Sequence, residues 1–173
     1  RVYICTRFGG LFIIDLEGRL QPVGRAQGLG SDGCNAVAAS RAGGVWVATD
    51  DGVSFVQDDD DACWLPMPGP VKSIEGDRRE LYISHSTSAV HLESDRRTEL
   101  PSLLWATWAR IDGTLYAAAS GKLYAGRFGG EEFVEVPGVD GEKLGAVVGG
   151  AGASRFLYAS VTVSSGVRGL LRY

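Results

Sequence analysis

Val45-Trp46-Val47-Ala48-Thr49 and Gly52-Val53-Ser54-Phe55-Val56 are two short runs rich in β-branched and aromatic residues, the first alternating around Trp46, with the polar Asp50-Asp51 between them. A period of two sends successive side chains to opposite faces, and a polar turn carrying Asp-Gly joins antiparallel strands, so the stretch reads as one β-hairpin. The pattern recurs. Val2-Tyr3-Ile4 precedes Gly10-Leu11-Phe12-Ile13, Leu81-Tyr82-Ile83 precedes Ala89-Val90-His91-Leu92, and Leu115-Tyr116-Ala117 precedes Lys122-Leu123-Tyr124-Ala125. A fifth, weaker copy pairs Leu157-Tyr158-Ala159 with Gly169-Leu170-Leu171 across a longer turn.

The aromatics Tyr3, Trp46, Tyr82, Tyr116 and Tyr158 stand 43, 36, 34 and 42 residues apart, a period that points to a propeller or another repeat array. Each later hairpin is preceded by a run of mostly small residues: Asn35–Ala39, Val71–Ile74, Leu104–Ala109 and Leu144–Val148. Short segments ending near proline follow the first four hairpins: Leu20–Val23, Cys63–Pro66, Thr98–Pro101 and Phe133–Pro137. Small residues suit a crowded inner strand, and proline suits an exposed outer edge that needs no partner for its missing N–H. Four strands per repeat, A to D from the axis outward, make the blade of a β-propeller.

The expected fold is therefore all-β, a single partial β-propeller over residues 1–173. Complete blades are expected at 28–68, 69–101 and 102–138, between an incomplete first blade (1–27, strands B to D) and an incomplete last one (139–173, strands A to C). The two partial blades both hold strands B and C and cannot merge into one. The strand pattern already starts at the second residue, after Arg1. The chain accordingly reads as a piece of a larger propeller, with the remaining blades as its expected partner. By itself it would expose two apolar end faces and self-associate through them.

Composition narrows the functional classes. With 45% hydrophobic and 22% charged residues the chain can bury a core, and its 25 glycines fit frequent turns. A net charge of −4 with scattered Lys and Arg leaves no basic stripe for a phosphate backbone, so nucleic acid is not an expected partner. Uninterrupted apolar runs such as Leu11 to Ile14 fall far short of the ~20 residues of a membrane span. The three cysteines lack C-x-x-C spacing: Cys5 reads as a small core residue, while Cys34 and Cys63 flank one repeat and pair only if the fold brings them together. That leaves the compartment open.

The run Gly28-Leu29-Gly30-Ser31-Asp32-Gly33-Cys34-Asn35-Ala36-Val37, then Gly44-Val45-Trp46-Val47-Ala48-Thr49 and Asp51-Gly52-Val53, resembles the two-component regulator propeller repeat of bacterial sensors. The match is good over this blade and looser elsewhere; Asp112-Gly113-Thr114-Leu115-Tyr116 keeps the turn and the aromatic. The resemblance implies a non-catalytic extracytoplasmic module, periplasmic or secreted, that senses a small molecule or a protein and passes the signal across a membrane. The alternative is a propeller hydrolase or lyase, gluconolactonase-like or of the BNR type, with a polar site at the channel mouth.

No catalytic signature stands out. The repeated aromatics occupy the same place in every blade, as packing between blades requires. Trp105 and Trp108 add two indoles to one inner strand, where their odd spacing sends them to opposite faces. Asp58-Asp59-Asp60-Asp61 lacks the spaced oxygens and the glycine of a calcium loop and reads as a solvated turn. No metal or cofactor is expected. In a propeller the B–C turns and D–A connections surround one mouth of the channel, where loops differ while the scaffold stays fixed. That argument gathers the ligand-binding candidates Arg7, Asp32, Asn35, Asp50, Asp51, His85 and Arg168, with Lys143 nearby; the carboxylate and amide set of an enzyme (Glu75, Asp32, Asn35, Asp140) falls at inconsistent places within the repeats.

Overall fold

The computed structural model describes residues 1–40, 43–57, 62–77, 79–93, 96–137, 143–150, 156–162 and 168–172, the last three stretches as backbone strands. Among the described residues, eighteen strands fall into five antiparallel sheets, each taken from one contiguous part of the chain. The first sheet holds β1 (Val2–Thr6), β2 (Gly10–Ile14) and β3 (Leu20–Val23) in order. The second holds β4 (Cys34–Ala39), β5 (Val45–Thr49), β6 (Gly52–Val56) and β7 (Ala62–Pro66). The third runs from β8 (Val71–Gly76) through β9 (Glu80–His85) and β10 (Ala89–Glu93) to β11 (Arg96–Glu99). The fourth comprises β12 (Thr107–Ile111), β13 (Thr114–Ala119), β14 (Lys122–Arg127) and β15 (Phe133–Glu135). The fifth holds β16 (Lys143–Gly150), β17 (Phe156–Thr162) and β18 (Arg168–Arg172).

The inner strands β4, β8, β12 and β16 lie against one another in succession, and β1, β5 and β13 each touch the inner strand of the next sheet. This is a partial β-propeller of three four-stranded blades flanked by two of three strands. Alternation within the strands produces the core between the blades. Tyr3, Cys5, Leu11 and Ile13 of the first sheet pack on Val45, Val47 and Val56 of the second. The other face of that second sheet, Trp46, Ala48 and Val53, packs on Leu81, Ile83 and Val90 of the third. Tyr82 then turns toward Trp108, Leu115 and Ala117 of the fourth. Every sheet between two others is thus apolar on both faces, which explains why β6 is buried at all five positions.

Two expectations need correction. Cys5 is not an isolated core residue: it forms a disulfide with Cys34, while Cys63 is free and exposed. The reason is geometric, since Cys5 shares the β1 face that meets β4, and the two Cα atoms come within 5.3 Å. Trp105 does not share a strand with Trp108, because β12 starts at Thr107. It sits in the connection after the 3-10 turn Pro101–Leu103 with φ of 58°, a left-handed backbone uncommon for a bulky residue, and its indole is exposed. Trp108 is buried against Tyr82 and Phe133. The Asp58–Asp61 run and Asp140 lie outside the described residues.

Candidate functional site

The connection from β3 to β4 is built from short-range hydrogen bonds. Its 3-10 turn, Arg25–Gln27, is closed when the Gly24 amide donates to Gln27 Oε1 (2.9 Å). The Arg25 amide donates to Asp32 Oδ1 (2.8 Å), and the Gly10 amide of the first sheet donates to the Asp32 carbonyl (2.9 Å). Asp32 therefore fastens its own loop and sits beside the β1–β2 turn. At the following hairpin, the Asp50 amide donates to the Gly33 carbonyl (3.0 Å).

Side chains extend this frame into a cluster. Asn35 Nδ2 donates to Asp50 Oδ1 (2.9 Å) and to the Val71 carbonyl of the third sheet (3.0 Å), so one amide joins a turn to the next blade. Arg25 Nη2 lies 3.1 Å from Asp51 Oδ2, and Arg25 Nε donates to the Gly30 carbonyl at 3.1 Å. Trp64 Nε1 donates to the Asp51 carbonyl (3.3 Å), which leaves the indole half-exposed beside the turn. The Thr49 hydroxyl donates to the Gly52 carbonyl, as the Thr6 hydroxyl does to that of Gly10, both at 2.9 Å. The same device closes the turn in both blades.

Of the seven ligand-binding candidates, four meet here: Asp32, Asn35, Asp50 and Asp51. Arg7 occupies the adjoining β1–β2 turn with its guanidinium 5.5 Å from the ring centroid of Phe8. His85, at the end of β9, is buried; its Nε2 is 2.7 Å from Ser88 Oγ and its Nδ1 3.2 Å from Thr87 Oγ1. Burial pushes its pKa below the ordinary histidine value, the nearby Arg97 charge adds to that, and Glu99 opposes it. Arg168 and Lys143 begin β18 and β16, and their side chains lie outside the described residues. Arg25 and Trp64 join the cluster although alternation singles out neither. Arg25 enters from the 24–33 loop, and Trp64 enters from the outer strand β7.

A second polar group lies at the outer seam between the third and fourth blades. The Tyr82 hydroxyl donates to the Gly130 carbonyl (2.7 Å) and accepts from the Gly129 amide (3.0 Å), and burial raises its pKa to about 12. His91 stacks on Tyr82 with centroids 4.3 Å apart, and its Nδ1 is 3.9 Å from Glu131 Oε1. Glu131 also accepts from Thr98 Oγ1 (2.7 Å) and pairs with Arg96 (2.9 Å). A cleft of about 300 Å³ opens beside it, floored by Leu100, Leu103 and Phe133. Among the described residues, no group of three or more His, Cys, Asp or Glu is placed to hold a metal ion, and no helix is long and apolar enough to cross a membrane.

No protein-family model and no curated protein sequence matches the chain. Solved structures do. An extracellular domain assigned to a hybrid two-component system of B. thetaiotaomicron superposes with a TM-score of 0.69 at 14% identity, over 99% of this chain and 26% of that one. PorZ, a surface component of the type-IX secretion system of Porphyromonas gingivalis, gives 0.63 at 13% identity, over 99% of this chain and 24% of its own. A chain of a nidogen–laminin complex gives 0.67 at 14% identity, over 92% of this chain and 67% of its own. The chain thus spans about a quarter of the length of the two bacterial structures. At these identities the likeness establishes the shared fold.

Proposed function

We propose that the chain is a non-catalytic β-propeller module for ligand sensing or protein interaction, of the two-component regulator propeller type, working in an extracytoplasmic compartment. The loop-end cluster carries the reading. Asp32, Asn35, Asp50, Asp51 and Arg25 present carboxylate, amide and guanidinium groups on connections fixed by the sheets beneath them. A rigid scaffold with polar groups on its loops is the usual arrangement for recognition. The Cys5–Cys34 disulfide supports an oxidising compartment, and the extracellular B. thetaiotaomicron domain supports the sensor type.

The test is a melting-temperature screen against polar small molecules (sugars, amino acids and carboxylates), run beside chromogenic ester, lactone and glycoside substrates. The expected result is a stabilising ligand whose effect disappears in the Asn35→Ala/Asp51→Ala double variant, with no turnover of any substrate. Turnover by the wild-type chain, or a ligand shift that the double variant retains, would overturn the proposal.

A further inference from the structure

The outer seam between the third and fourth blades keeps open a space that the seam between the first and second fills. Register makes the two comparable. Phe133 stands opposite Gly126, which pairs with Leu115 just before Tyr116; Ala62 stands opposite Val56, which pairs with Val45 just before Trp46. The two residues therefore hold the same place in their blades. In the second blade the connection arriving from β3 packs on this place, since a Cβ on Gly28 would lie 3.0 Å from the Ala62 carbonyl. The connection into the fourth blade is shorter: residues 100–106 separate β11 from β12, against residues 24–33 between β3 and β4. Between its 3-10 turn, Pro101–Leu103, and Phe133 lies the cleft of about 300 Å³. Both blades are four-stranded and interior to the series, so the cleft belongs to the packed part of the molecule.

Its lining is divided between apolar and acidic groups. Leu100 and Leu103 are buried and form the floor with Phe133. Glu99 and Glu131 supply two carboxylates, and Thr98 and Ser102 add hydroxyls. Among the described residues, no Lys, Arg or His lines it. The carboxylates are held in place from behind. Glu131 is fixed by Thr98, Arg96 and the buried His91, and Glu99 Oε1 accepts from Arg97 Nε (3.1 Å) and Nη2 (2.8 Å). Neither arginine enters the cleft, which presents two positioned acceptors beside an uncharged floor.

We propose that this cleft binds a small organic monocation with an apolar body, an aryl- or alkylammonium of about ten non-hydrogen atoms. The ammonium donates to the carboxylates and hydroxyls, and the body covers Leu100, Leu103 and Phe133, where an aryl ring also meets an aromatic partner. An anionic analogue meets two like charges with no cation in the lining, and a neutral one forgoes the charge-assisted bonds. The site is separate from the loop-end cluster, and nothing here depends on that cluster's ligand.

Phenylpropylamine is the probe, with phenylpropanol and phenylpropionate as its neutral and anionic analogues, titrated into the full chain near neutral pH and followed by amide NMR. The expected result is a saturable shift centred on residues 98–103 and 131–133, with a Kd of about 1 mM or tighter for the amine and at least about tenfold weaker binding of both analogues. Ser102→Trp, at an exposed position on the cleft wall, should fill the space and abolish binding. Glu99→Gln should weaken the amine at least about tenfold while moving the melting temperature by less than about 2 °C, which keeps the test decisive if the larger substitution disturbs folding. The Asn35→Ala/Asp51→Ala double variant should bind the amine as the wild type does. Simple amines are not among the sugars, amino acids and carboxylates of the ligand screen, so failure of one proposal is seen apart from failure of the other. No saturable shift at these residues, equal affinity for the three probes, or unchanged amine binding by Glu99→Gln and a folded Ser102→Trp would each overturn the proposal.

Discussion

Gly33 and Gly52 bracket the turn at the centre of the loop-end cluster, and adding a methyl group to each has a different consequence. Gly52 has φ of 137°, and a Cβ there would collide with the Leu65 carbonyl, part of the β6–β7 ladder. Backbone cannot step aside cheaply, so Gly52→Ala should cost about 2–3 kcal/mol in urea denaturation. At Gly33 the obstacle is the carboxylate of Asp50, the far end of a side chain. Gly33→Ala should displace that carboxylate, break its bond with Asn35 and cost about 1 kcal/mol. The two variants separate scaffold from site. Both glycines stand in the repeat motif and mark turns in the sequence, but the collision with Asp50 depends on a contact between separate connections, which a linear pattern does not contain.

His85 carries the pH dependence expected at this scale. Its folded pKa is lowered from the ordinary 6.5, so the folded state favours the neutral ring. The stabilisation is complete above the unfolded value and is lost as pH falls through the lower folded one. The urea midpoint should therefore drop as the pH falls below the ordinary histidine value of 6.5, and the difference between wild type and His85→Gln should shrink as it does so. A difference that grows as the solution is acidified would contradict the assignment. By sequence, His85 marks a turn; the structure adds that its ring is buried against its own turn hydroxyls.

At the scale of elements, the period-two alternation was sufficient to locate nearly every strand, because each must bury at least one face. The aromatic ruler found the blades for the same reason: Trp46 and Tyr82 fill equivalent places between sheets, and each also crosses the seam by a hydrogen bond, to the Asp77 carbonyl and to the 129–130 turn. Pairings across a seam were not legible. Nothing in the spacing of Cys5, Cys34 and Cys63 shows that β1 and β4 lie face to face. The resulting disulfide closes a loop with a sequence separation of 29 residues, and removing it as Cys5→Ser/Cys34→Ser should cost about 3–4 kcal/mol in urea denaturation. Reduction of the wild-type chain should reproduce most of that loss. A loss under about 1 kcal/mol would mean that sheet packing alone holds the first blade.

At the scale of the molecule, the first four sheets form a series in which the second and third each contribute one face to their predecessor and one to their successor. Stability in such a series is set by the seams as much as by the blades. The loop-end cluster spans the first three members of the series, through Gly10–Asp32, Asp50–Gly33 and Asn35–Val71, so the proposed binding site and blade packing share the same connections. The end of the propeller could be read from the sequence as a set of turns; which groups touch there could not, because that follows from how one blade is rotated against the next.

Strand-resolved hydrogen exchange tests this series most directly. The account predicts the slowest exchange in Val45–Thr49, Glu80–His85 and Thr114–Ala119, which are paired on both edges and covered on both faces. It predicts fast exchange for the open-edge amides of Val2–Thr6 and along the outer strand Ala62–Pro66. Protection in Val2–Thr6 equal to that in Val45–Thr49 would contradict it.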